Sequence, residues 1–140
     1  MSWLLDTHVV SEWVRPRPDP GVIRFLEALD EDRVFVSVAT LAELRLGIGQ
    51  LDAGPRRSAL ERWLSGDLVE RFSGRVLGVD APLAEVWGLC LARSRTRGRP
   101  ISVMDALLAA TARLHGLTLV TRNVSDFRSM EIGLHNPWTA

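Results

Sequence analysis

The sequence has no lysine, a single cysteine and no long apolar run, and each absence removes a class of function. All seventeen basic residues are arginine, so mechanisms that require an amine, such as Schiff-base formation, are excluded. Cys90 has no partner within the chain for a disulfide and no neighbouring cysteine for a metal site, so we predict a small buried apolar residue. The histidines, His8, His115 and His135, are dispersed, which does not favour zinc.

No apolar run approaches the roughly 20 residues that a membrane-spanning helix needs. At the start of the chain, Asp6 appears before the apolar stretch of a signal peptide could form. We therefore expect a cytoplasmic protein that does not associate with membranes.

Acidic and basic residues balance, with seventeen of each, so the molecule has no overall field that would attract a polyanion. Any attraction for nucleic acid must therefore be local. A chain of 140 residues can bury a core without disulfides or zinc. We predict that residues 1–140 form a single domain.

Short β-rich runs alternate with helical patterns along the chain, and this alternation predicts an α/β fold with parallel strands joined by crossover helices. The predicted strands are 3–5, 34–36, 76–79, 117–120 and 132–134. The predicted helices are 8–14, a second opened by Asp19 and Pro20, and then 39–50, 55–69, 82–92 and 102–115, the last closed by Gly116. The expected core of the fold is a mostly parallel sheet of four to five short strands.

Four acidic residues are candidates for a functional site. Asp6 directly follows a predicted strand, Glu43 lies off the apolar stripe of its helix, Asp105 is in the first turn of another, and Asp126 follows the fourth strand. Each has an ordinary explanation: Asp6 and Asp105 suit helix N-termini, Glu43 suits a solvated face, and Asp126 suits a turn. The predicted topology, however, brings all four to one edge of the sheet, where ligands bind in parallel α/β folds.

Carboxylates that meet without a basic partner repel one another, and the usual compensation is a divalent cation bound by oxygen ligands. The sequence therefore predicts a magnesium or manganese site. A cation held by carboxylates with water in its remaining positions can activate water and neutralise charge at phosphorus. The matching chemistry is hydrolysis of a phosphodiester bond.

Four runs in this order resemble PIN-domain proteins of the VapC toxin type, and the resemblance spans essentially the whole chain. They are LLDTHVVSE at 4–12, SVATLAEL at 37–44, ISVMDALLAATA at 101–112 and LVTRNVSDF at 119–127, followed by Asn136, Pro137 and Trp138 near the end. The resemblance implies a PIN-like α/β/α sandwich. It also implies a ribonuclease toxin that depends on a metal ion, forms a dimer and is neutralised by a small VapB-type antitoxin. Promoter DNA would be contacted only through the antitoxin.

By resemblance, Asp6, Glu43 and Asp105 match the shared acidic triad of the family. The fourth acid varies in position among family members, lying where this chain has either Asn123 or Asp126. We favour Asp126 as the fourth acid and Asn123 as a polar positioning residue. The resemblance also implies products with a 3′-hydroxyl and a 5′-phosphate, and attack by metal-activated water needs no covalent enzyme intermediate.

Other polar residues are candidates for supporting roles. Three hydroxyls could orient the acids, although capping and strand propensity explain them equally well; these are Thr7, Thr40 and Thr121. Four arginines alternate with small or polar residues before Pro100 and predict a basic loop that could follow a phosphate backbone; these are Arg93, Arg95, Arg97 and Arg99. A solvated loop is an equally good explanation of the arginines.

Two other functions remain open on the sequence. A phosphoacceptor receiver domain has a similar length, a parallel sheet and a magnesium site, but it needs a lysine late in the chain. A non-catalytic PIN subunit of a DNA-binding regulatory complex would keep the family and lose the enzyme. Several large apolar residues could belong either to the core or to a partner's docking face; they are Trp13, Val14, Phe25, Leu26, Leu29, Trp63 and Trp87.

Overall fold

The computed structural model describes residues 1–139, and its centre is a five-stranded sheet in the order β3-β2-β1-β4-β5. The strands are β1 (Trp3–Leu5), β2 (Val34–Ser37), β3 (Val76–Leu77), β4 (Thr118–Val120) and β5 (Leu134–His135). Every neighbouring pair is parallel. This confirms the predicted α/β class, with a sheet that is parallel throughout.

Helices precede or follow each strand and cover the sheet. They are α1 (Thr7–Ser11), α2 (Pro20–Ala28), α3 (Val38–Gly49), α4 (Pro55–Arg62), α5 (Val69–Arg71), α6 (Ala81–Thr96), α7 (Val103–His115) and α8 (Val124–Phe127). A π-helical segment, Trp63–Leu68, joins α4 to α5. Single 3-10 turns occupy Glu12–Val14, Glu31–Arg33, Arg128–Met130 and Pro137–Thr139. No helix within residues 1–139 is long and apolar enough to span a membrane.

Two apolar layers pack against opposite faces of the sheet because side chains alternate along each strand. Leu4 and Leu119 point into the layer formed with α6 and α7. Leu5 and Val120 point into the other layer, formed with the first four helices. All four side chains are fully buried, so β1 and β4 are fixed from both faces. Burial of one such side chain stabilises the fold by roughly 1.5–3 kcal/mol.

The predicted helix boundaries hold where capping residues set them. The Asp19 side chain accepts a hydrogen bond from the Val22 N–H, and Pro20 begins α2. Ser102 caps α7 in the same way, and Gly116 ends that helix in the left-handed conformation, with φ of 64°. These caps fix the entry and exit of the helix that carries Asp105.

Several predicted boundaries are wrong at their ends. The third strand stops at Leu77, since Gly78 follows and Val79 is exposed. The fifth strand begins at Leu134 and not at residue 132, because Glu131 adopts a left-handed conformation and the chain is still turning there. The first helix is α-helical only to Ser11, and the predicted helix 55–69 contains the π-helical segment and continues to residue 71.

The predicted basic loop is also partly wrong. Helix α6 continues to Thr96, so Arg93 and Arg95 lie on its last turns. Arginine is a good helix former, and the helix ends only where Gly98 adopts a positive φ of 67°. Of the four arginines, Arg97 caps the helix and Arg99 lies in the loop that follows.

Candidate active site

Asp6 is held at the carboxyl end of the two central strands. Its N–H donates to the Val120 carbonyl across the β1–β4 pair, at 3.0 Å. One carboxylate oxygen accepts from the Thr7 N–H at 2.6 Å, and the other accepts from the Thr121 hydroxyl at 2.7 Å. The residue is 7% exposed. Both oxygens therefore have a fixed orientation, at the point where the strand order of the sheet reverses.

Glu43 approaches Asp6 from the neighbouring strand-helix unit. Ser37 ends β2 and caps α3, so the first turns of α3 lie over the same edge of the sheet. The Thr7 hydroxyl donates to Glu43 Oε1 at 3.1 Å, and it lies 3.4 Å from the Thr40 hydroxyl. Thr7 thus connects Asp6, through its main chain, to Glu43, through its side chain.

Asp105 and Asp126 border one cleft from two different helices. Helix α7 runs back toward the start of β4, so its first turn, with Asp105, lies at the carboxyl edge of the sheet. Asp126 is in α8, which directly follows β4, and it is exposed. Both side chains line a cleft of about 480 Å³.

The four acids act on one another electrostatically. Burial raises the pKa of Glu43, and the charges of Asp6 and Asp105 raise it further. The hydrogen bond from Thr7 and the charge of His8 lower it in part. Burial likewise raises the pKa of Asp105, and the charges of Asp6 and Asp126 raise it further. A hydrogen bond with Ser102 and the charge of His8 lower it in part. Within residues 1–139, none of the four acids forms an ion pair with an arginine. The cluster therefore carries negative charge that the protein does not neutralise.

The donor set fits a hard divalent cation. In the part of the chain that the structure describes, no three histidine, cysteine or acidic side chains are arranged to hold a metal ion together. Magnesium does not require such a cage, because it usually keeps several waters and binds through one or two carboxylates. Carboxylates with raised pKa values and no arginine partner are the groups that such an ion stabilises.

The predicted supporting residues differ in their surroundings. Thr121 and Thr40 are fully buried, and Thr121 also accepts from the Asn123 N–H at 3.1 Å. Asn123 itself is exposed, and its carbonyl accepts from the Asp126 N–H at 3.0 Å. Its main chain therefore links Thr121 to Asp126, whereas the sequence had suggested a role for its side chain.

The arginines are divided between two neighbouring cavities. Arg99 lines the cleft of Asp105 and Asp126, together with Arg128, which sequence reasoning missed. Arg93 and Arg97 line a smaller adjoining cavity, which Arg99 also borders, and Arg95 lies outside both. The position of Arg128, two residues after Asp126 and in the turn that continues α8, was the available signal.

A family model described as the PIN domain matches residues 3–132. The chain belongs to the PIN-domain family. This PIN domain is 37% identical over 135 residues to toxin FitB of Neisseria gonorrhoeae. The match covers 96% of this chain and 97% of that protein. It is 34% identical to VapC ribonuclease Y4jK of Sinorhizobium fredii, covering 96% of each chain.

Solved structures agree with the fold of this PIN domain. A structure of FitAB bound to an IR36 DNA fragment contains a chain that is 35% identical, with a TM-score of 0.91. The match covers 96% of this chain and 94% of that one. The predicted PIN-like sandwich is confirmed, and the receiver alternative has no support.

Proposed function

We propose that this PIN domain is an endoribonuclease toxin of the VapC type that requires magnesium or manganese and is neutralised by a cognate VapB-type antitoxin. The observation that carries the proposal is the cluster of Asp6, Glu43, Asp105 and Asp126, whose charges act on one another without an arginine partner. Relatives named as a toxin and as a ribonuclease support the same function. An RNA substrate also supports a cytoplasmic location.

The four acids have distinct roles in this proposal. Asp6 and Asp105 would hold the cation, with help from Glu43 and Asp126. When bound there, a divalent cation supplies charge stabilisation at phosphorus and lowers the pKa of water. Asp6 keeps one orientation because both of its oxygens accept hydrogen bonds. Glu43, whose Oε1 accepts a hydrogen bond from the Thr7 hydroxyl, would accept the proton of the attacking water. Water attacks in line, without a covalent enzyme intermediate.

The experiment that tests this function uses the purified protein without antitoxin on single-stranded RNA. We expect cleavage with magnesium or manganese, none with EDTA, and recovery when the metal is restored. Products with a 5′-phosphate and a 3′-hydroxyl, identified by end-labelling, would agree with attack by water. Cleavage that continues in EDTA, or no cleavage with either metal, would contradict the proposal and favour a non-catalytic PIN subunit.

Thr121 offers a test of how the acids are oriented. Replacing Thr121 by valine removes the hydroxyl that donates to Asp6 Oδ2, while its size and burial are nearly retained. We expect activity at limiting magnesium to fall about 10–100-fold, the usual cost of losing a group that orients a metal ligand. The matched control is Thr121→Ser, which keeps the hydroxyl and should retain most activity. Equal loss in both variants would indicate a packing defect.

An apolar groove beside the acids is the proposed docking site of the antitoxin. It has a volume of about 340 Å³ and is bordered at one end by Thr7, His8 and Glu43. Its apolar lining includes Val14, Leu44, Ile48, Leu60 and Trp63. An antitoxin segment bound there would block the approach to the acids. Of the other large apolar residues, Leu26 is buried in the core, and Trp13, Phe25, Leu29 and Trp87 are partly buried against it.

We further propose that the protein is a homodimer and that it meets promoter DNA only through the antitoxin. The structure of FitAB with DNA supports an assembly of this kind. The partner proposal is tested by co-expressing the chain with the product of a neighbouring small reading frame. We expect the two to co-purify and cleavage to be suppressed.

A further inference from the structure

The cleft that contains Asp105 and Asp126 is also lined by basic residues. Arg99 reaches it from the loop between α6 and α7, and Arg128 reaches it from the turn after α8. Three hydroxyl-bearing residues complete the polar lining; they are Ser102, Ser125 and Ser129. Guanidinium groups and hydroxyls are the usual donors to phosphate oxygens. The cleft therefore combines carboxylates that suit a cation with donors that suit phosphate groups.

The two arginines are not used within the protein. Both are exposed, and within residues 1–139 neither forms an ion pair, although two carboxylates line the same cleft. Other arginines of this chain are engaged: Arg71 pairs with Glu31, and Arg113 donates to the Met130 carbonyl. Arg99 and Arg128 thus remain free to bind an anion from solution.

The segment that carries Arg99 is fixed by a buried serine. Ser94 is 2% exposed, and its hydroxyl donates to the Arg99 carbonyl and accepts from the Ile101 N–H, the latter at 2.8 Å. The Arg99 N–H donates back to the Ser94 carbonyl at 3.1 Å. These bonds hold the main chain of residues 99–101 against the end of α6. Arg99 is therefore positioned at the cleft before any ligand binds, which lowers the entropic cost of binding.

We propose that Arg99 and Arg128 each bind a backbone phosphate of single-stranded RNA beside the bond that is cut, and that Ser94 is a positioning residue for Arg99. The proposal rests on the proposed ribonuclease function and identifies how the substrate is held. The cleft, of about 480 Å³, is lined both by two of the acids and by these two arginines. No aromatic residue is among those lining it, so bases have no stacking surface, and the contact is to phosphate without sequence preference.

The test measures binding of a fluorescein-labelled single-stranded oligoribonucleotide in EDTA, so that no cleavage is required. For single strands the slope of log Kd against log salt is about 0.7 for each phosphate neutralised. We expect Arg99→Gln and Arg128→Gln each to reduce the slope by about 0.7, and the double variant by about 1.4. Arg24→Gln, an exposed arginine on α2, is the control with the same change of charge. Melting temperatures verify that every variant is folded.

The role of Ser94 is tested by a double-mutant cycle. Ser94→Ala should weaken binding in the wild-type background and have little further effect when Arg99 is already glutamine. A merely structural defect would weaken both backgrounds equally and would overturn the positioning role. The conservative variant Ser94→Thr, which keeps the hydroxyl, should restore binding.

Separate outcomes distinguish this inference from the proposed function. Reduced slopes in the variants of a protein that never cleaves RNA would support the phosphate site and reject the ribonuclease. If the protein cleaves RNA but the Arg99 and Arg128 variants keep the wild-type salt slope, the phosphate site alone is rejected. The same holds if Arg95→Gln weakens RNA binding equally, because the arginines would then act only as diffuse charge. If the variants no longer bind the antitoxin but still bind RNA, the cleft is a protein interface and the inference is wrong.

In steady-state cleavage by the Arg99→Gln and Arg128→Gln variants, we expect KM to rise about tenfold with little change in kcat.

Discussion

Replacing Asp105 by asparagine is expected to lower metal-dependent RNA cleavage at least about 1000-fold, equivalent to ~4 kcal/mol of transition-state stabilisation. The substitution removes a negative charge and one oxygen ligand while preserving shape. The main-chain N–H of Asp105 donates to the Ser102 hydroxyl oxygen and is unchanged by the substitution, so the cap of α7 remains. Asp6→Asn should be as damaging, because an amide nitrogen cannot serve as the second oxygen ligand.

Rates under single-turnover conditions with magnesium provide the measurement. Asp52→Asn is the matched control, because Asp52 is exposed, lies outside the acidic cluster and carries the same charge. We expect this variant to cleave at the wild-type rate. Full metal-dependent activity in folded Asp105→Asn would remove this residue from the site, and full activity in both aspartate variants would refute the acidic-cluster mechanism.

The second large effect concerns stability. At a magnesium concentration of 100 times its Kd, the wild-type protein should gain about 2.7 kcal/mol in free energy of unfolding. Asp105→Asn should gain far less, because its contribution to cation binding is lost. Thermal unfolding with increasing magnesium, followed by circular dichroism, measures this without RNA. Equal stabilisation of both proteins would show that the ion binds elsewhere.

Without metal the order of stability should reverse, and its pH dependence has a definite sign. The pKa values of Glu43 and Asp105 are raised in the folded state, so their ionisation favours the unfolded chain. Stability from these groups is fully present below their unfolded pKa values, about 4, and is lost as pH rises through the raised pKa values of the folded state. In EDTA, Asp105→Asn should therefore match the wild type near pH 4 and melt higher at pH 7. A wild type that melts higher at pH 7 would contradict mutual repulsion within the cluster.

Much of this architecture was predictable because local rules set it. Asp19 and Ser102 are efficient N-caps, and Gly116 suits the left-handed end of α7, so helix boundaries followed from the residues themselves. The convergence of Asp6 and Asp105 followed from parallel topology, since strand ends and the starts of returning helices share one edge. Their roles in catalysis remain predictions.

Other features depend on tertiary contacts that a linear pattern does not contain. Arg128 is an isolated arginine in sequence, and only the path of the chain after β4 brings it to the cleft with Arg99. The Ser94 hydroxyl donates to the carbonyl of Arg99, five residues later in the chain, and no periodicity in the sequence indicates this contact. Helix α6 extended through Arg95 because alternating arginine and small residues suit a helix as well as a loop.

The pairing of β1 with β4 has a consequence for synthesis of the protein. Residues 3–5 acquire their partners only when residues 118–120 exist, and the Asp6 N–H donates to the carbonyl of Val120. At about 5–20 residues per second, a ribosome needs on the order of ten seconds to travel between them. A nascent chain thus lacks an assembled centre until residues 118–120 have been synthesised. The acidic site at the end of β1 therefore cannot assemble on a nascent chain that still lacks β4.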